Sequence, residues 1–315
     1  MSRVAQGLML SVTLLAGGSA EAVGKLQLAA YLGPGCDGRD RVHGFEQWQG
    51  RKLDKVVDFL DAGSWQAMES TAKWVAHCWQ AWSGRLVVSV PMLPIDSNST
   101  LELAARGEYD DHMRKVAERL VAGGLGDVVI RLGWEFNAAW FPWSALKEPR
   151  LYVAAYRRFV GVMRGVKGAS FRFDWCSALG VGVASPEPAY PGDDVVDFIG
   201  ADVYNVNYLP PDVMPQQRWL ALRDGAFGLQ WHKRFAAAHG KPMSYPEWGT
   251  GTRPDGHGGG DDPIFMAGMI QWIKTNEIEY HSYWDYRAPD YDARLSDGRQ
   301  PASAALYLKA FGGGR

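Results

Sequence analysis

The chain has 315 residues, of which 47% are hydrophobic and 22% charged, a composition typical of globular proteins. The formal net charge is −2 at pH 7, and like charges form no run, so nucleic acid and anionic membranes are excluded as expected partners. The 14 Trp and 13 Tyr are numerous; their flat rings suit the apolar faces of sugars as well as a large core.

The N-terminus has the pattern of a signal peptide. Arg3 precedes an apolar run over residues 4–16, and Ala20-Glu21-Ala22 places small residues at a cleavage position. The run is shorter than the roughly 20 residues of a membrane-spanning helix. We expect residues 1–22 to be removed on export, residues 23–315 to form the mature domain, and the protein to be secreted or periplasmic. An uncleaved N-terminal anchor is the alternative.

Short apolar runs alternate with longer amphipathic runs after residue 25, a pattern that predicts strands followed by helices. Ser64 stands where a helix N-cap is expected, and Gly123-Gly124 and Gly240 follow predicted helices. The region between the first two strands has the weakest periodicity, over residues 45–55. The predicted strands are 26–32, 56–60, 86–93, 128–132, 171–176, 196–204, 243–248 and 279–284. The predicted helices are 64–79, 100–122, 149–166, 215–239, 263–275 and 303–311.

This alternation implies parallel strands joined by crossover helices. Eight such units, with no linker or internal repeat, favour a single-domain α/β fold, the closed (β/α)8 TIM barrel, which uses roughly 250 residues. An open doubly wound sheet is the alternative. The three cysteines, Cys36, Cys78 and Cys176, allow at most one disulfide, and the sequence leaves the pair undetermined.

Two glutamates follow predicted strands at the end of the barrel where active sites form. Glu135 ends the fourth strand, and Glu247 ends the seventh, on the opposite side of a barrel mouth. Two facing carboxylates are what glycoside hydrolysis requires: one protonates the leaving oxygen and the other attacks the anomeric carbon. The alternative is that each glutamate only pairs with an arginine such as Arg131 or Arg253.

Several motifs at these strand ends resemble those of glycoside hydrolase family 26, which contains β-mannanases, mixed-linkage β-glucanases and β-1,3-xylanases. The run RLGWEFN at 131–137, followed by WFPW at 140–143, resembles the fourth-strand signature of the family, and PEWG at 246–249 resembles its nucleophile segment. The run DVY at 202–204 resembles its sixth strand, and Trp284 resembles a tryptophan beneath the reacting sugar. The resemblance covers roughly residues 26–311.

The resemblance implies that Glu135 is the acid/base and Glu247 the nucleophile of a retaining enzyme. Substrate binding would fall to the neighbouring polar and aromatic side chains. One position departs from the family, which usually has His directly before the acid/base, whereas this chain has Trp134. The departure bears on the preferred sugar and not on the reaction class. The implied binding residues are Arg131, Trp134, Asn137, Trp140, Trp143, Tyr204 and Trp284.

Other features of the sequence are less specific. The loop 250–262, rich in glycine and polar residues, fits a substrate-gating loop or a plain surface loop, and His257 with Asp261 and Asp262 could hold a cation. No zinc-binding spacing and no Gly-x-Ser-x-Gly motif is present. We therefore expect no metal and no cofactor.

The prediction is thus an exported retaining glycoside hydrolase that acts on a β-linked polysaccharide or its oligosaccharides, and endo action is expected over exo action. We expect a monomer with no membrane partner after signal cleavage. Two alternatives are a glycosidase that processes the organism's own exopolysaccharide and a barrel that binds glycan without catalysis. The presence of both glutamates favours an enzyme.

Overall fold

A computed structural model describes residues 26–314, apart from positions 96, 97, 181, 211 and 212. The predicted signal peptide and the start of the mature domain therefore lie outside the described residues. In the part of the chain that the structure describes, no helix is long and apolar enough to cross a membrane.

Eight parallel strands close into a barrel, each pairing with the next and the first with the last. This confirms the predicted (β/α)8 barrel and excludes the open sheet. The strands are β1 (Gln27–Tyr31), β2 (Lys55–Phe59), β3 (Arg85–Val90), β4 (Val129–Leu132), β5 (Arg172–Ala178), β6 (Phe198–Tyr204), β7 (Met243–Gly249) and β8 (Ile278–Trp284).

Helices surround the barrel between the strands. Ser64 caps the second helix as predicted, because its hydroxyl accepts a hydrogen bond from the Ala67 amide at 3.0 Å. The helices are α1 (Gly35–Gln49), α2 (Trp65–Trp79), α3 (Leu101–Arg106), α4 (Asp110–Ala122), α5 (Pro149–Arg164), α6 (Pro215–Asp224), α7 (Leu229–Ala238), α8 (Pro263–Thr275) and α9 (Pro301–Phe311).

The helical predictions were wrong in two places where a glycine interrupts an amphipathic run. The predicted helix 100–122 is two helices, because Gly107 ends α3 with a left-handed φ of 95°. The predicted helix 215–239 is also two, divided at Gly225–Gly228. The first helix begins at Gly35, upstream of the weakly periodic residues 45–55.

The lower interior of the barrel contains a buried carboxylate. Asp174 on β5 accepts hydrogen bonds from the hydroxyls of Ser244 and Tyr280, each at 2.6 Å. Burial raises the pKa of Asp174 to about 6, and the two hydrogen bonds oppose that rise. Gly200 leaves space for this group, since a Cβ there would lie 2.1 Å from Asp174 Oδ1.

A disulfide joins Cys36 at the start of α1 to Cys78 at the end of α2. It lies next to Asp58 on β2, whose carboxylate accepts hydrogen bonds from the Gly35 amide at 3.0 Å and from Trp79 Nε1 at 2.6 Å. Burial raises the pKa of Asp58 to about 6. The remaining thiol, Cys176, is free and buried, so the limit of one disulfide is confirmed.

Candidate active site

Glu135 occupies a strained turn directly after β4. Its φ of 52° places it in the left-handed region, which no other non-glycine residue among those described adopts. Gly133, with φ of 54°, prepares the turn, and the Glu135 amide donates to the Cys176 carbonyl at 2.9 Å. Such a conformation costs about 1–3 kcal/mol and concentrates at functional sites. The chain therefore holds the Glu135 side chain where regular backbone would not place it.

Glu247 lies at an irregularity in β7. Ser244 pairs with Gly200 and Glu247 pairs with Asp202, so the pairing shifts by one residue between these positions. Pro246 falls within the shifted segment, where its missing N–H does not interrupt a regular ladder. A bulge re-aims the side chains beside it. It brings Glu247 level with Asp202 at the end of the barrel where β6 and β7 finish.

Arg131 on β4 links two of the acids. Its fully buried guanidinium donates through Nη1 to Glu247 Oε1 and through Nη2 to Asp202 Oδ2. Tyr204 donates its hydroxyl to Glu247 Oε2 at 2.5 Å. Both oxygens of Glu247 thus accept hydrogen bonds, and the two donors fix the direction in which its carboxyl group points. Arg131, one of the implied binding residues, thus contacts two carboxylates of the site.

Glu135 has the electrostatics of an acid. Burial and, to a smaller extent, the charge of Glu247 raise its pKa to about 7, and Arg131 and a hydrogen bond from Trp140 limit the rise. The two glutamates are thus close enough to interact. The raised pKa keeps a proton available on Glu135 near neutral pH, while Glu247 is held by two hydrogen-bond donors. This division of roles is what acid-assisted displacement requires.

Aromatic side chains surround the glutamates. Trp140 is 60% exposed and donates its indole N–H to Glu135 Oε2 at 2.7 Å. Trp284 at the end of β8 stacks on Tyr31, with ring centroids 4.2 Å apart and an interplanar angle of 27°. The ring of Tyr204 meets Trp284 edge-on, at 6.1 Å between centroids. These rings form an apolar surface around the two carboxylates.

Trp134 is buried beneath the site. Its indole lies over the Arg131 guanidinium, 5.1 Å from the ring centroid, and against Phe59 and Trp143. A cation over an indole face is attracted by the ring quadrupole. The residue that replaces the usual histidine therefore stabilises the arginine that binds Glu247, and it adds no titratable group.

Two more of the expected binding residues are buried, as Arg131 and Trp134 are. Asn137 is 2% exposed, and its amide bonds the Ala178 backbone through both atoms, donating at 3.0 Å and accepting at 2.9 Å. Trp143 is fully buried and donates to the Trp134 carbonyl at 2.7 Å. A side chain without exposed surface contacts no ligand, so these two residues brace the turn around Glu135 instead.

Asp202 is a member of the site that sequence reasoning noted only as part of a motif. Besides Arg131, it accepts a hydrogen bond from the Cys176 thiol at 3.3 Å. Burial raises its pKa well above the usual range, against the lowering effect of Arg131. The sequence held one sign of this role, since Asp202 is the single charged residue of the apolar strand FIGADVY. A buried charge without a partner is costly, so a charged residue at such a position indicates a partner.

The loop 250–262 is fastened at its C-terminal end. Asp262 caps α8 by accepting the Ile264 amide at 2.9 Å, and Asp261 accepts the Ser303 amide at 2.8 Å. The structure does not gather these acids with His257 into a cation site: among the described residues, no group of three or more His, Cys, Asp or Glu side chains could hold a metal ion.

The sequence and the fold can be compared with known proteins. A family model described as glycosyl hydrolase family 26 matches residues 95–222, a segment that contains Glu135. A curated relative, Endoglucanase H of Acetivibrio thermocellus, is 24% identical over 307 residues. That match covers 92% of this chain and 31% of the relative, so the chain spans about a third of the length of the relative.

Solved structures show the same barrel at low sequence identity. An endo-β-1,4-mannanase double mutant from Cellulomonas fimi superposes with a TM-score of 0.64 at 18% identity, covering 89% of this chain and 70% of that one. The catalytic domain of an endo-β-1,4-mannanase from Bacillus sp. JAMB-750 gives 0.64 at 18% identity, covering 92% and 90%. A mannanase from Bacillus subtilis gives 0.62 at 14% identity, covering 92% and 86%.

Proposed function

We propose that this chain is a member of glycosyl hydrolase family 26, whose model matches residues 95–222, and that it is an exported, retaining glycoside hydrolase that cleaves a β-linked polysaccharide. The observation that carries the proposal is the asymmetric pair Glu135 and Glu247. One has its pKa raised to about 7 by burial, and the other is bound by a guanidinium and a phenol. Two acids with a purely structural role would need neither this difference in surroundings nor a strained turn at one of them.

The proposed reaction has two displacements. Glu247 attacks the anomeric carbon while Glu135, protonated, gives its proton to the departing glycosidic oxygen. Glu135, now ionised, then takes a proton from water, which attacks the glycosyl–Glu247 ester and releases the sugar. Arg131 and Tyr204 hold Glu247 in place throughout, and Trp140 positions the Glu135 carboxyl through its indole N–H.

We propose a β-mannan-like substrate and endo action, supported by the names of the relatives: three of the similar structures are mannanases, two of them described as endo-acting, and the curated relative is named an endoglucanase. Arg131 and Trp134 would act beneath the sugar, while the exposed ring of Trp140 and the partly exposed ring of Trp284 would contact it. Sugar rings stack well on such surfaces.

The decisive experiment is hydrolysis of three polysaccharides, β-1,4-mannan, mixed-linkage β-glucan and β-1,3-xylan, followed by reducing-end detection. The wild type should cleave at least one of them, and Glu135→Ala and Glu247→Ala should each abolish most of the activity. Glu277→Ala is the matched control, because Glu277 is exposed and precedes β8 at the opposite end of the barrel. Full activity of Glu247→Ala would overturn the assignment of the nucleophile.

The stereochemical course is tested separately by proton NMR of the first product. Retention of the β-anomer agrees with double displacement, whereas an α-product contradicts it. Retention requires the carboxylates to lie about 5–5.5 Å apart, against about 6.5–9.5 Å for inversion.

Export is supported by the disulfide between Cys36 and Cys78, since such bonds persist in oxidising compartments. N-terminal sequencing of the secreted protein should give a start near residue 23, and light scattering should give the mass of one chain. A protein recovered only from the cytoplasm with residues 1–22 intact would contradict export.

A further inference from the structure

The loops after β6 and β7 form a short two-stranded ribbon above Glu247. Val206 pairs with Gly258 in an antiparallel bridge. The Asn207 amide donates to the His257 carbonyl at 2.7 Å, and the Gly259 amide donates to the Asn205 carbonyl at 2.8 Å. We call residues 205–208 and 257–259 the rim ribbon. These bonds hold its backbone in one arrangement.

The base of the rim ribbon is buried and tied to the barrel. The Asn205 side chain donates to Thr250 Oγ1 at 3.0 Å and to Asp262 Oδ2 at 3.1 Å. Asp262 in turn caps α8 and pairs with Arg218 at 3.2 Å. The ribbon is thus pre-organised before any ligand binds, which limits the entropy lost on binding.

Two exposed rings lie at the tip of the rim ribbon. Tyr208 is 58% exposed, and its ring lies 4.4 Å from that of His257, also exposed, with an interplanar angle of 36°. His257 is fixed, because its Nδ1 bonds the Asn207 carbonyl at 2.7 Å. A tyrosine ring beside a fixed neighbour at the surface offers a flat apolar face on which a sugar ring can stack.

A flat charged group accompanies these rings. The Arg253 guanidinium binds both oxygens of Asp255, with Nε to Oδ1 at 3.0 Å and Nη2 to Oδ2 at 2.8 Å. Asp255 also accepts the His257 amide at 3.0 Å. Rings for the apolar face of a sugar and fixed polar groups for its hydroxyls are thus present side by side.

This tip is continuous with the catalytic pair. Tyr204, which donates to Glu247, packs edge-on against Tyr291 at 4.9 Å between ring centroids. Thr252 pairs with Asp292, which brings the neighbouring Arg253 beside Tyr291. Tyr208 follows Tyr204 by four residues, so their Cα atoms lie within about 14 Å.

We propose that Tyr208 and His257, flanked by Arg253 and Asp255, form a sugar-binding subsite that takes a unit of the glycan chain beyond those held at the two glutamates. Tyr208 stacks on the apolar face of that unit. The proposal rests on the proposed function, since its ligand is a further part of the same polysaccharide.

The test is affinity electrophoresis of a Glu247→Gln protein in gels that contain β-1,4-mannan, mixed-linkage β-glucan or β-1,3-xylan. We expect at least one polysaccharide to retard this protein. Adding Tyr208→Ala should weaken binding roughly three- to tenfold, the order expected for one lost stacking contact. Tyr208→Phe should keep most of the retardation. Trp74→Ala, which removes a 40% exposed ring on α2, is the matched control.

A kinetic comparison locates the effect. Tyr208→Ala should lower kcat/KM for the polysaccharide relative to that for a disaccharide aryl glycoside of the same sugar, again roughly three- to tenfold. An equal effect on both substrates overturns the proposal, as does retardation equal to that of the parent or no retardation of the parent by any gel. If the wild type cleaves nothing but binds a polysaccharide through Tyr208, the proposed function fails and the subsite stands.

Discussion

The barrel contains acids in two regions, and burial raises the pKa in both. At the mouth, Glu135 has its pKa raised to about 7, and in the lower interior Asp174 has its pKa raised to about 6. Their surroundings differ. Glu135 is partly exposed, lies on left-handed backbone and faces a second carboxylate. Asp174 is fully buried and receives two hydroxyl hydrogen bonds.

In both regions the raised pKa reports burial of the acid. Whether a buried acid can act in catalysis depends on its access to substrate. The Asp174 carboxyl has no route to a ligand, and its hydrogen bonds join β5, β7 and β8 across the barrel. The Glu135 carboxyl meets Trp140, an exposed side chain. A perturbed pKa therefore indicates a functional group only together with a position in a cleft.

The largest expected effect is on activity. Glu135→Ala should lower kcat/KM about a thousandfold or more, because it removes the proposed general acid. Asp174→Asn should retain activity within about tenfold, since Asp174 contacts no substrate. Initial rates on the polysaccharide that the wild type cleaves measure both. Equal losses in the two variants would remove the distinction between mouth and interior.

Removal of the disulfide should act on stability instead. The bond closes a separation of 42 residues, for which the chain-entropy model gives about 4 kcal/mol. The double variant Cys36→Ala/Cys78→Ala, measured by urea unfolding against wild type, should lose about this much free energy of unfolding. Cys36 is next to Gly35 and Cys78 is next to Trp79, and Gly35 and Trp79 are hydrogen-bond donors to Asp58. Loss of the disulfide should therefore disturb the surroundings of Asp58 more than the barrel mouth. An unchanged midpoint would show that the bond adds no stability.

Asp174 should make stability depend on pH. Its pKa is about 6 in the folded protein and about 3.9 when unfolded, so the folded state binds more protons between these values. The contribution of Asp174 to stability is then fully present below about pH 4 and is lost as pH rises through about 6. The free energy of unfolding falls by about 3 kcal/mol over this range. The free energy of unfolding of Asp174→Asn, relative to wild type, should rise over this window. A constant difference would contradict the raised pKa.

The smallest expected effect is a shift of the pH profile. Because the proposed reaction requires a protonated Glu135, kcat/KM should fall as pH rises through about 7. The hydrogen bond from Trp140 lowers the pKa of Glu135, so Trp140→Phe should move this limb to higher pH by a fraction of a unit. Trp74→Phe is the control, and a limb that moves down would contradict the assigned donor.

The fold was predictable because the hydrophobic periodicity of the sequence shows strands alternating with helices. The strand ends that carry Glu135 and Glu247 could be located from the same pattern. What could not be predicted depended on local backbone geometry. Gly107 ends α3 through its left-handed conformation. The amphipathic pattern continues on both sides of this glycine, so the sequence gives no sign that the helix is divided there. The pairing of Cys36 with Cys78 also required coordinates, because spacing alone permits three pairs.

Within the site, residue type was a poor guide to exposure. Trp140 and Trp143 stand three residues apart in one motif, yet one is 60% exposed and the other fully buried. The direction of each ring is set by the irregular turn after β4. Such a turn has no sequence periodicity from which exposure could be predicted. Asn137 fills its hydrogen bonds with backbone for the same reason.

The left-handed backbone at Glu135 has a consequence for how this protein can be improved. Position 135 is one where glycine would fit the chain better than glutamate, so selection for stability alone would discard the side chain on which the proposed reaction depends. A directed-evolution campaign scored by heat resistance without an activity screen would be drawn toward loss of function at this position. The turn marks where durability and catalysis are in direct competition.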